Sequence, residues 1–214
     1  MKKYVNFITE GLSSDEIKEM LNKDCSQFLR EGVILYRGMN KDIPEYEIMK
    51  RQHNRRPKDM PTQIHHMIDK LLEKEFGWKP RSSGVFATAS INDAKFYSKY
   101  TINPENNSVS REDPYIFVPK GEYQMVYNPG ISDLYPYIKT ILDEIFDDDF
   151  YVYGRPSIDD EIMKELEEHL IELVEGFQDY DIVDAASNYN EIMFDCDEYY
   201  LFNIKYKSEI QKWF

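Results

Sequence analysis

EIMFDCDEYYLFNIK, residues 191–205, contains two short runs rich in apolar and aromatic side chains. Glu191 to Phe194 and Tyr199 to Lys205 read as the last two strands, and the polar Asp195-Cys196-Asp197-Glu198 between them reads as a hairpin turn. A second hairpin is expected upstream, where Tyr115-Ile116-Phe117-Val118 and Tyr123-Gln124-Met125-Val126-Tyr127 flank Pro119-Lys120-Gly121-Glu122. Two earlier strands are short: Val33-Ile34-Leu35-Tyr36, closed by Arg37-Gly38, and Gly84-Val85-Phe86-Ala87-Thr88. Short strands scattered among helices, with hairpins late in the chain, indicate an α+β fold.

The helices have clear start and stop signals. Ser13-x-x-Glu16 reads as a capping box, followed by Ile17, Met20, Leu21, Phe28 and Leu29 at helical spacing, with Gly32 as the stop. Pro61 opens a helix through Phe76, with Ile64, Met67, Ile68, Leu71 and Leu72 on one face and Gly77 ending it. Ser90 or Asn92 caps a short helix carrying Ala94, Phe96 and Tyr97. Ile131 to Phe146 reads as helical. The clearest helix opens at Ser157-Ile158-Asp159-Asp160 and puts Leu166, Leu170, Leu173 and Phe177 on one stripe. The polar segment from Asp42 to about Lys58 has no period and reads as helix or loop.

With 214 residues, no internal repeat and no low-complexity linker, one domain over 1–214 is expected, with an acidic helical insertion at about 131–180. Hydrophobic residues make up 42% and aromatic residues 14% of the chain, enough for a real core. Cys25 and Cys196 are too few for a disulfide framework or a structural zinc site, and Cys196, in the expected turn, reads as exposed. The four histidines show no metal spacing, so no metal is expected. No signal peptide or membrane-length apolar run is seen, which implies a soluble cytoplasmic protein with no membrane partner. The net charge of −14 is concentrated: residues 143–198 hold twenty acids and two bases. Such a surface repels nucleic-acid backbone and argues against general DNA binding. Against this background Lys50, Arg51, Arg55, Arg56 and Lys58, then Lys79 and Arg81, form a basic cluster. It would either meet a phosphate-bearing ligand or acceptor at the rim of a site, or pair with the acidic helix after Ser157.

Three segments carry possible chemistry. Arg37 ends a buried strand just before Gly38, where a glycine admits a close ligand and arginine offers a planar fork of donors; the alternative is an arginine snorkelling to solvent. The strand from Gly84 ends in small and hydroxyl residues that would present Thr88 or Ser90 to a ligand, or else simply cap the next helix. Glu191 opens a strand after the polar Ser187-Asn188-Tyr189-Asn190, either as a functional carboxylate or as a surface acid.

In this order, Leu35-Tyr36-Arg37-Gly38, the block Gly84 to Tyr97, and Glu191 to Phe194 with Tyr199-Tyr200 beyond resemble the ADP-ribosyltransferase superfamily of the Arg-Ser-Glu kind. The chain is also similar to small phage-encoded members. The resemblance implies a split β-sandwich with flanking helices whose cleft holds NAD as substrate. Arg37 would hold the phosphates or the nicotinamide ribose, with Gly38 beside it. Thr88, with Ser90 near, would support the site beneath the ribose. Phe86 and Tyr97 would pack on the nicotinamide ring, and Glu191 would bind the ribose 2′-hydroxyl and stabilise charge developing at C1′. The implied activity is cleavage of the nicotinamide–ribose bond and transfer of ADP-ribose to a protein or nucleic-acid acceptor, in the host cytoplasm if the chain is phage-encoded. Two positions depart from the family: its Ser-Thr-Ser reads Ala87-Thr88-Ala89, and Tyr189 stands where a Glu or Gln often helps choose the acceptor. Hydrolysis of NAD alone would fit the same residues. The rival expectation is a non-enzymatic acidic protein, an inhibitor or nucleic-acid mimic, or a virion component.

Overall fold

The computed structural model describes residues 12–55, 60–102, 109–145 and 160–214, with residues 160–163 as backbone only. The fold is α+β with antiparallel sheets. Nine strands are described: β1 (Leu35–Arg37), β2 (Tyr46–Lys50), β3 (Val85–Ala87), β4 (Tyr100–Ile102), β5 (Val109–Arg111), β6 (Tyr115–Lys120), β7 (Gln124–Val126), β8 (Ile192–Asp195) and β9 (Glu198–Phe202). One sheet has the order β1-β6-β9-β2, a second β3-β8-β7, and β4 and β5 form a separate ribbon that the sequence reading missed.

Both expected hairpins are corners instead. β6 lies in the four-stranded sheet and β7 in the three-stranded one, and β8 and β9 are split the same way. At Gly121, whose φ is +78°, and at Cys196-Asp197, the chain passes from one sheet to the other. The physical reason lies in the strands. Tyr115 to Pro119 and Tyr199 to Phe202 are buried at every position, so they lack the in–out alternation of a half-exposed hairpin. Strands wet on neither face need cover on both, and the corners supply a second sheet. Cys196, at such a corner, is buried rather than exposed, and burial pushes its thiol up to about 12. Cys25 is likewise buried and raised to about 12.

The segment after Asp42 also differs: it holds β2, an edge strand pairing from Tyr46↔Phe202 to Lys50↔Glu198. Its exposure alternates between half-buried and open, and β9's otherwise bare edge overrides the weak local pattern. Tyr46 stacks on Phe202 at 5.8 Å.

The helices follow their end signals. Helix Ser14–Asp24 has the full capping box between Ser13 and Glu16 and buries Ile17 and Leu21; it ends at Cys25, and a separate turn, Ser26–Leu29, carries Phe28. Helix Thr62–Phe76 stops at Gly77, whose φ is +81°. The reading of Ser157 to Asp159 as a helix start lies outside the described residues; the helix is described over Asp160–Glu175. Two cores result. The first fills the space between the sheets around Phe117, Phe194 and Phe202. The second lies on the outer side of the three-stranded sheet, where helices Thr62–Phe76, Leu134–Ile145 and Asp160–Glu175 close over Val126 and Met193. Within 131–180, the described helices therefore supply apolar cover to that sheet and turn Glu165, Glu167, Glu168 and Glu172 outward. Among the described residues no helix is long and apolar enough to cross a membrane.

Candidate functional site at the seam between the sheets

The two sheets meet along β1 and β3. Tyr36 and Thr88 exchange backbone hydrogen bonds of 2.7 and 3.0 Å, just where Arg37 and Gly38 follow on one side and Ala87 precedes on the other. From this seam the Arg37 guanidinium donates to the Phe86 carbonyl. It also lies 5.9 Å over the ring of Tyr199, whose hydroxyl burial makes less acidic while the nearby guanidinium opposes that shift. The Arg37 Nε is buried with no hydrogen-bond partner among the described residues.

β3 and β8 run antiparallel, with Phe86 opposite Met193 and Ala87 opposite Ile192. One step further along the ladder, Thr88 stands across from Glu191. Period-two alternation then puts Phe86, Thr88, Glu191 and Met193 on the same face of the sheet, while Ala87, Ile192 and Phe194 face the first core. Glu191 is held firmly from several directions. The Thr88 hydroxyl donates to the Tyr189 carbonyl at 3.3 Å and accepts from Ser90 N–H at 3.2 Å. Tyr189 takes a left-handed φ of +57°, uncommon for a bulky residue, so the turn before Glu191 is constrained. The buried Asn190 amide donates to the Ile131 carbonyl at 3.1 Å, and Glu191 N–H donates to the Ser132 carbonyl at 3.1 Å. Ser90 also caps helix Ile91–Phe96. Tyr97, at the end of that helix and half-exposed, donates its hydroxyl to Asp133 at 2.9 Å, beside the Ser132 anchor.

Two expected roles change in detail. A Cβ at Gly38 would lie 2.1 Å from the Ala94 carbonyl oxygen and 2.7 Å from the Tyr97 carbonyl carbon. The close approach that requires glycine is thus made by the chain's own helix, not by a ligand. Phe86 already carries the Arg55 guanidinium 3.9 Å from its ring centre and Arg81 at 5.0 Å, so its ring orders two arginines before it could meet a nicotinamide.

The basic cluster divides. Arg51 pairs with Asp195 and, at 3.2 Å, with Asp197; Lys50 reaches Glu198 at 4.0 Å and Lys79 reaches Glu73 at 3.4 Å. Arg51 and Lys50 thus pair with the β8–β9 corner rather than the acidic helix. Arg55 and Arg81 lie over the Phe86 ring, on the face that also carries Glu191, and Arg56 and Lys58 lie outside the described residues. Arg81 donates to Glu191 at 3.1 Å.

Residues behind Arg81 were missed in the sequence. Asp69, on helix Thr62–Phe76, is 2% exposed and accepts from Arg81 N–H at 2.8 Å, from Ser82 N–H at 3.3 Å and from the Ser82 hydroxyl. His65, one turn earlier, places Nε2 3.0 Å from Ser82 Oγ. The signal was an acid among the apolar positions of a helix, shortly before Pro80 opens a short helix whose first amides need an acceptor. Ser82, His65 and Asp69 do not form a nucleophilic triad: the hydroxyl donates to Asp69, and all three side chains are buried.

Burial lowers the His65 pKa from 6.5 to about 4 despite the opposing charge of Asp69. The unfolded chain therefore binds more protons between those values, so this contribution to stability is complete above about pH 6.5 and is lost as pH falls towards 4. In urea unfolding, wild type should lose more stability than His65→Gln between about pH 7 and about pH 5. Equal losses would mean that His65 is protonated in the folded chain.

A separate cleft of about 460 Å³ is lined by Glu31, Trp78, Tyr123, Asp179 and Tyr180, among others, and by none of the candidate residues. Its walls hold carboxylates and aromatics but no arginine or lysine, which suits a diphosphate poorly. Arg37, at the seam, has the matching charge. No protein-family model, curated protein or solved structure matches this chain.

Proposed function

We propose that this chain is an NAD-dependent ADP-ribosyltransferase acting at the seam between the sheets. The observation that supports the reading is adjacency along the seam: Arg37 follows Tyr36, Tyr36 bridges Thr88, and the Thr88 hydroxyl holds the Tyr189 carbonyl two residues before Glu191. The site also fits an anionic substrate, since Arg37 buries an Nε donor without a partner among the described residues, and buried donors are costly to leave unpaired.

In this reading the diphosphate lies on Arg37, a planar donor suited to phosphate oxygens. Tyr97, half-exposed and tethered to Asp133, is placed to pack on the nicotinamide ring. The Glu191 carboxylate faces the ribose. When the C1′–nitrogen bond breaks, nicotinamide leaves with the bonding electron pair and becomes neutral. Positive charge then develops on C1′ and the ring oxygen, where a fixed carboxylate stabilises it. An acceptor lone pair forms the new bond to C1′, and the acceptor's proton passes to solvent. Thr88 makes no bond to the reacting atoms; it holds the turn that aims Glu191.

Arg37→Ala should weaken NAD binding at least tenfold, about 1.4 kcal/mol, because its phosphate contact exists before the reaction. Titration calorimetry of both proteins with NAD measures this. Isotope-labelled NAD added to a lysate with the wild-type protein should place label on a macromolecule, found by mass spectrometry. Absence of NAD binding by wild type would overturn the proposal and favour an acidic interaction protein.

A further inference from the structure

We infer that Arg81, fixed by Asp69, is the positioning residue for Glu191; the inference rests on the reading of Glu191 as the carboxylate beside the reacting carbon. The Arg81 side chain is 7% exposed, and a buried guanidinium is stable only with compensating partners. Its partners are Glu191 Oε1 at 3.1 Å and the face of Phe86 at 5.0 Å. The peptide from which it projects is itself fixed: three donors, two backbone amides and the Ser82 hydroxyl, converge on the buried Asp69 carboxylate. Asp69 sits among Ile64, Ile68 and Leu72, each fully buried in the second core. A rigid path thus runs from that core through Asp69 and Arg81 to one oxygen of Glu191.

A guanidinium on Oε1 favours the charged form of a partly buried carboxylate, and the charged form is the one that stabilises a cation. Arg81 acts through Glu191 and touches no reacting atom.

The test uses the full chain and compares wild type with Arg81→Gln, Arg81→Lys and Asp69→Asn. Arg81→Gln should slow nicotinamide release from NAD roughly tenfold or more with little change in the dissociation constant. The acid limb of its pH–rate profile should move to higher pH. Arg81→Lys should restore the limb but only part of the rate, since a point charge does not reproduce the planar fork. A merely structural ion pair would lower Tm and leave the acid limb in place. If Arg81→Gln does not fold, Arg81→Lys and Asp69→Asn carry the comparison through reduced rate at unchanged affinity.

A second readout separates this inference from the functional reading. Carbon NMR of labelled glutamate, without NAD, follows the Glu191 carboxyl in wild type and in the Arg81 variants. An upward shift of its titration when Arg81 is replaced supports the pairing even if wild type releases no nicotinamide, in which case the functional reading alone fails. An unmoved titration, or an active wild type whose Arg81 variants keep full rate and acid limb, overturns the inference.

Discussion

Glu191→Gln should reduce nicotinamide release about a hundredfold or more while NAD affinity stays within a fewfold of wild type. Gln keeps the size of the side chain and an oxygen acceptor, so a ground-state contact with the ribose survives. It lacks the charge that opposes the cation at C1′, and only interactions stronger in the transition state change the chemical step. The backbone should not shift, because Glu191 N–H on Ser132 and the Asn190 amide on Ile131 do not involve the carboxylate. Replacement also leaves Arg81 facing a neutral amide, which costs some stability, so rates are to be compared per folded molecule. Stopped-time chromatography of nicotinamide with calorimetry of NAD separates the two quantities. A variant equal to wild type in turnover would remove Glu191 from the site.

Gly38→Ala should destabilise the fold by about 3 kcal/mol, the upper end of the usual overpacking cost, which for a chain of this length lowers Tm by roughly 6–12 °C. The new methyl would meet the Ala94 carbonyl oxygen at 2.1 Å and the Ser98 amide nitrogen at 2.8 Å. Both are backbone atoms that cannot rotate away, so helix Ile91–Phe96 must shift as a unit. That helix carries Ser90 at its start and Tyr97 at its end, and Arg37 is the neighbour of the altered residue. The loss should therefore include NAD affinity. Thermal unfolding followed by circular dichroism measures the first effect; an unchanged Tm would mean that the helix does not pack on Gly38.

The elements that the sequence discloses well are those with local chemistry at their ends. The Ser13–Glu16 capping box, the left-handed Gly77 and the Ser90 cap each act within one turn, and each is legible as a short pattern. Strand partners are another matter. The runs at Tyr115, Gln124, Ile192 and Glu198 are visible as strands, yet short turns between them suggested hairpins where the chain changes sheets. Whether neighbouring strands pair depends on what covers their faces, and that cover comes from distant helices. β2 was illegible for the same reason, being an edge strand recruited by β9.

The candidate site shows a similar division. Arg37, Thr88 and Glu191 carry their own signals as a fork of donors, a hydroxyl and a carboxylate at strand ends. Their support is long-range: Asp69 reaches Arg81, Arg81 reaches Glu191, and Thr88 reaches the Tyr189 carbonyl. No spacing rule links those positions. The role expected of Gly38 was misread because a glycine signals close approach without saying what approaches.

Release of free nicotinamide by the purified chain tests most directly the proposal that the seam between the sheets cleaves NAD. With NAD in excess, nicotinamide should grow with time and protein concentration, and this release should be abolished in Glu191→Gln. Nicotinamide at the level of an enzyme-free control, or release that persists in Glu191→Gln, would contradict it.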